Sequence, residues 1–183
     1  MWQYFFAHAA YHGVRWFPQG NRWKMALLML VLSIIAVGAQ IFVISHYERS
    51  SRYCEQPLLT LQVISIILSS FTVGFTFLFS VLIPVPRGVK IVFHIFGLGC
   101  LIVGFWQIYS VIVSYETCSV NTPELYFLTQ ICAILSGVSI VFLLVVFPFW
   151  LVNAWKTGIV MDPYSRTGIC YEPAKCCTCI WHI

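Results

Sequence analysis

Four long apolar stretches, 25–45, 57–83, about 89–114 and about 123–152, set the terms for anything this chain can fold into. At 1.5 Å rise per residue the shortest makes a helix about 31 Å long, the thickness of a bilayer's hydrocarbon core. The longer ones tilt or reach into the headgroups. Lipid offers no partner to a backbone N–H or C=O, so such runs are helical. Their apolar character is continuous rather than alternating, which argues against a β-barrel. A water-soluble reading fails on charge. Only 9% of the 183 residues are charged, against about 25% in an average globular domain, and mean hydropathy is +0.88. The predicted fold is all-α: a four-helix transmembrane bundle.

Prolines mark the ends of the runs. Pro57 and Pro123 open the second and fourth helices, where a missing N–H costs nothing. Pro84 and Pro86, with Arg87 and Gly88, close the second in a tight turn, and Pro148 is expected to kink the fourth. Lys and Arg are distributed unevenly. One side of the bundle receives Arg15, Arg22, Lys24, Arg87, Lys90, Lys156, Arg166 and Lys175; the other receives Arg49 and Arg52. The positive-inside rule then puts both termini in the cytosol. No signal peptide is evident, because the first apolar run starts late and lacks a small-residue cleavage site. The membrane expected is the plasma membrane.

Residues 1–24 do not span. They mix aromatic rings (Trp2, Tyr4, Phe5, Phe6, Tyr11, Trp16, Phe17, Trp23) with cations, which suits a segment in the inner headgroup layer or an aromatic belt beside the first span.

The eight cysteines divide by this topology. Cys54 and Cys118 each lie on a short outer loop, in the compartment where a disulfide persists, and are the expected pair; free thiols are the alternative. Cys100 and Cys132 fall inside helices. Cys170, Cys176, Cys177 and Cys179 crowd the tail 153–183, beside Lys175 and Trp181, and are candidate lipidation (palmitoylation) sites. Zinc held by Cys170, Cys176, Cys179 and His182 is a competing reading, but a structural zinc site usually shows two separated ligand pairs. Unmodified thiols are a third. No metal or other cofactor is expected.

Enzyme chemistry finds little to stand on. The only acidic residue in the four runs is Glu124, at the start of the fourth, where it complements the helix dipole. His94 is an ionisable group near one end of the third, and a neutral, hydrogen-bonded role is its expectation. His8 and His12 have i, i+4 spacing, but five histidines are too few for a membrane di-iron centre. No nucleophile–base set or phosphate-binding loop is present. The chain is read as non-catalytic.

The second run does carry a pattern. Gln62, Ser65, Ser69, Thr72, Thr76 and Ser80 recur at steps of three and four, forming one stripe. Small hydroxyls permit close helix approach and Gln62 can bond across an interface; the same stripe would line a pore if copies assembled around an axis. Gly97, Cys100 and Gly104 on the third run, and Ser136, Gly137 and Ser139 on the fourth, are its expected partner surfaces. Gln40, Gln107 and Gln130 add neutral amides.

Cys54 followed by Pro57-Leu58-Leu59, then Gly104-Phe105-Trp106, Cys118 and Leu125-Tyr126-Phe127, give residues 25–150 an arrangement that resembles the small four-pass transmembrane protein 272-like family. The linker around Cys118 is brief for it, and the aromatic start and cysteine-rich tail lie outside the shared core. The resemblance implies a four-helix membrane protein with paired outer cysteines and brings no activity. Two functions follow as expectations. One is an accessory or organising subunit of a larger membrane assembly, with the bilayer, other integral membrane proteins or copies of itself as partners and no nucleic acid. The other is a homo-oligomeric channel with the second helix lining the pore.

Overall fold

The computed structural model describes residues 1–16, 21–46, 54, 56–82 and 85–156. Among these are six helices: α1 (Trp2–Trp16), α2 (Arg22–Ser45), α3 (Leu58–Val81), α4 (Arg87–Val113), α5 (Tyr115–Asn121) and α6 (Pro123–Trp155). Four of them, α2, α3, α4 and Pro123–Pro148 of α6, are long and apolar enough to cross a bilayer. The protein is an integral, multi-pass membrane protein. The tail thiols Cys170, Cys176, Cys177 and Cys179 lie outside the described residues.

Helix boundaries follow the punctuation. Pro57 precedes the first turn of α3, Pro86 that of α4, and Pro123 is the first residue of α6. Pro148 does not end α6, which runs on to Trp155. The expected loop between the third and fourth spans is instead the short helix α5, set off from α4 at Ser114. Successive spans run antiparallel, as short connections require. Arg22, Lys24, Arg87, Lys90 and Lys156 therefore share one end of the bundle, called here the basic end, and Cys54 and Cys118 the other.

Cys54 and Cys118 are joined in a disulfide, with Cα atoms 4.9 Å apart and a sequence separation of 64. Leu58, Leu125 and Tyr126 close over it. The bond ties the α2–α3 hairpin to the α4–α6 half at this cystine end.

The outward faces are apolar. Ile95, Leu98 and Ile102 on α4, Val138, Val141 and Val145 on α6, and Leu27, Ile34 and Ile35 on α2 are all exposed. Such surface suits acyl chains rather than water. The interior, by contrast, is rich in amides and hydroxyls. This inside-out distribution is possible because lipid solvates the outside and polar groups pair within.

The first helix departs from expectation. The composition of residues 1–24 suits the headgroup layer or a flanking belt; residues 2–16 instead form α1, about 22 Å long, wedged among the spans. Met1, Gln3, Ala7, Ala10 and Val14 are all buried. The physical reason is complementarity of shape and polarity. Gln3, Ala7, Ala10 and Val14 recur at steps of four, three and four, the same rhythm as the small-residue stripe on α3, and two such stripes approach closely.

Candidate functional site

The polar seam of the bundle is built on α3. Gln62, Ser65, Ser69, Thr72 and Thr76 are buried, and Ser80 at its basic-end limit is half-buried. Much of the stripe is satisfied within its own helix: Ser69 donates to the Ser65 carbonyl (2.7 Å), Thr72 to Leu68 (3.0 Å) and Ser80 to Thr76 (2.8 Å). Cross-helix bonds add to this. Gln62 Nε2 donates to Gln40 Oε1 (3.0 Å), and Gln40 Nε2 donates both to Ser69 Oγ (3.0 Å) and to the Ala36 carbonyl (3.0 Å). Gln40 thus bridges α2 to α3 in two directions.

α1 fills the basic half of the seam. Gln3 Nε2 donates to Ser65 Oγ (3.0 Å), and Thr72 Oγ1 donates weakly to the Gln3 carbonyl (3.4 Å). The Met1 amine reaches midway along two other spans, donating to the Cys100 carbonyl on α4 (2.7 Å), to Ser136 Oγ on α6 (3.2 Å) and to Gln3 Oε1 (3.3 Å). Burial disfavours the charged amine and pulls it below its usual value. The stripe of small residues on α4 is the seat: a Cβ on Gly104 would lie 3.0 Å from the Met1 nitrogen, and one on Gly97 would lie 2.7 Å from the Tyr4 ring. Only glycine admits so close an approach.

Toward the basic end the seam becomes aromatic. Ala7, Phe75, Phe79, Val85 and Phe93 form a core against which Tyr4 and Tyr11 pack. Tyr4 stacks on Phe93 at 4.5 Å between ring centroids, and Phe79 meets Phe93 edge-on at 4.9 Å. Two histidines lie in this wall. His8 and His12 have ring centroids 5.0 Å apart, both buried, and neither nitrogen of His8 has a hydrogen-bond partner. Burial, with the His12 and His94 rings nearby, holds His8 neutral well below the usual imidazole value. His94 is exposed, with Nδ1 3.3 Å from the Tyr4 hydroxyl.

Toward the cystine end other buried groups stand unpaired. Both amide atoms of Gln107 lack a partner, as do Gln62 Oε1 and Ser110 Oγ. Thr129 donates to the Leu125 carbonyl (2.8 Å), and Tyr126 to the Val111 carbonyl (3.2 Å). On the outer surface at this end, Glu124 and His46 line an apolar groove between α2 and α6 with Phe42, Phe127 and Ile131.

Of the residues singled out by spacing, then, Ser65 and Thr72 of the α3 stripe, Gly97, Cys100, Gly104 and Ser136 converge on α1, while Gln62 and Ser69 meet Gln40 of α2. Gly137 instead faces Ile108, and Ser139 bonds its own helix at Leu135. Gln3 and Met1 are the seam residues that spacing missed; the Gln3–Ala7–Ala10–Val14 rhythm was the available signal. Among the described residues no three His, Cys, Asp or Glu side chains are grouped to hold a metal. Comparison with known proteins returns nothing: no family, curated protein or solved structure matches the chain.

Proposed function

We propose that the protein is a non-catalytic accessory or organising subunit of a larger membrane assembly, engaging partner helices through the outward face of α2. One observation carries this reading. In the 24 residues of α2 only Ser33 and Gln40 are buried, so the helix is held along a narrow line and offers the rest of its surface outward. On that surface a Cβ added at Gly38 would meet nothing within 4 Å, and Gly38 lies on one stripe with Val31, Ile34 and Phe42. An exposed glycine between large apolar residues lets a second helix approach closely, which is how helices associate where lipid removes the hydrophobic drive. The Lys and Arg asymmetry supports a cytosolic position for both termini, and the resemblance to the transmembrane protein 272-like family is in keeping with the same architecture.

The homo-oligomeric pore lined by the second helix has less support. Its stripe faces α1 and α2 of the same chain, so an assembly around an axis would first have to pull that seam apart.

The test is co-purification from native membranes in mild detergent. The protein is expected in a complex of defined composition and stoichiometry. Gly38→Leu is expected to release the partner while leaving the thermal midpoint of the isolated protein unchanged within a degree or two. Recovery of the wild-type chain as a lone monomer, or conductance by the pure protein in bilayers that Ser69→Leu abolishes, sinks this reading.

A further inference from the structure

We propose that the groove between α2 and α6 at the cystine end is a phospholipid site. It takes one acyl chain between the two helices and the quaternary ammonium of a choline headgroup at Glu124. The polarity along the groove, its shape and the chemistry of its mouth each point to that occupant.

α2 packs chiefly on α3 and only lightly on α6. A cleft of about 410 Å³ is left between α2 and α6, within the usual range of a small-molecule site. Ala39, Phe42 and His46 line it from α2, and Glu124, Phe127 and Ile131 from α6. Each set has i, i+3, i+7 spacing, so each is one face of its helix.

Polarity changes along the length. His46 directly follows α2 and Glu124 sits in the first turn of α6, so both stand where these spans meet the headgroups. Ala39 and Ile131 are seven residues further in, about 10 Å deeper at helical rise. That depth stays within one leaflet of a hydrocarbon core about 30 Å thick. A slot that is polar at the interface, apolar beneath and confined to one leaflet has the profile of a lipid rather than of a spanning helix.

Its shape agrees. Phe42 and Phe127, one from each wall, are 65% and 62% exposed. A partner helix would ride on these rings, because close helix approach needs small residues on the contact face. A hydrocarbon chain passes between them and reaches the methyl group of Ala39 at the inner end. The site is thus distinct from the Gly38 stripe, with which it shares only Phe42.

The mouth selects the head. A quaternary ammonium gains both from a carboxylate and from the π face of an aromatic ring. Glu124 and Phe127 are i, i+3 on α6 and supply the two side by side. The opposite lip is held in place: His46 Nδ1 donates to the Phe42 carbonyl (2.9 Å), and its ring meets Phe42 edge-on at 4.5 Å. An anionic headgroup would bring its net charge against the carboxylate instead.

The experiment is native mass spectrometry of the purified, delipidated full-length chain. It is titrated separately with phosphatidylcholine, phosphatidylglycerol and diacylglycerol that carry the same acyl chains. The wild type is expected to retain one phosphatidylcholine per chain, about tenfold more tightly than either of the others, as one charge-assisted contact would give. Glu124→Gln is expected to bring phosphatidylcholine down to the level of diacylglycerol. Ala39→Phe fills the inner end and is expected to abolish retention of all three; Ile131→Trp fills it from the opposite wall and serves if Ala39→Phe fails to fold. Four results overturn the proposal: no retained lipid, phosphatidylglycerol bound as tightly as phosphatidylcholine or more so, a choline preference that survives Glu124→Gln, or retention unaffected by filling the groove. The pure chain is used, so the outcome does not depend on whether α2 has a partner helix.

Discussion

The ring of Tyr4 occupies the space that a side chain on Gly97 would need: a Cβ there would be 2.7 Å from two ring carbons. Tyr4 cannot readily step aside, because it is stacked on Phe93 at 4.5 Å. This contact fixes how deep α1 sits and makes the seat testable one methyl group at a time.

Gly97→Ala is expected to destabilise the purified protein by about 1–3 kcal/mol, the usual range for overpacking a filled site. Gly99→Ala is the control on the same helix. Its Cβ meets nothing within 4 Å, so replacing a helical glycine is expected to be neutral or to stabilise by up to about 1 kcal/mol. Thermal midpoints of the two variants in the same detergent decide it; equal shifts would mean that α1 is not seated against Gly97.

Gln40 and Gln107 should respond in opposite directions. Gln40 spans two helices through bonds to Gln62 and Ser69, and Gln40→Leu is expected to cost about 1 kcal/mol, in line with interhelical bonds in membrane proteins. Gln107 is fully buried with both amide atoms unpaired. Gln107→Leu removes that penalty and is expected to stabilise by about 1 kcal/mol. A lowered midpoint for Gln107→Leu would show that its amide is bonded to internal water.

The cystine closes a separation of 64 residues. Reduction is expected to lower stability by up to about 4 kcal/mol, with less in lipid because the separated helices stay inserted. Cys54→Ser, Cys118→Ser and the double variant are expected to show the same loss, since each removes one bond. Denaturation with and without reductant measures it, and an additive double variant would contradict the pairing.

The spans were legible because bilayer thickness acts on length and hydropathy alone, and both are written locally in residues such as 25–45 and 57–83. The α3 stripe was legible as a stripe, through its three-and-four rhythm, but its partner was not. Periodicity shows which residues share a face and is silent on what covers that face. α1 was missed for a related reason: rings and cations at 1–24 match an interfacial composition, whereas Gln3, Ala7, Ala10 and Val14 speak only when set beside the matching stripe on α3. The unpaired amide of Gln107 was beyond sequence altogether, because satisfaction of a buried polar group is a property of three-dimensional neighbours.

The Met1 nitrogen is bonded to Ser136, 135 positions later in the chain, and this has a consequence for biogenesis. A ribosome delivers α1 before any wall of its socket exists, and the last wall, α6, arrives only after α2, α3 and α4 have been made. α1 can settle only after the spans that follow it, and until then its ring-rich surface is open to a chaperone or a competing helix.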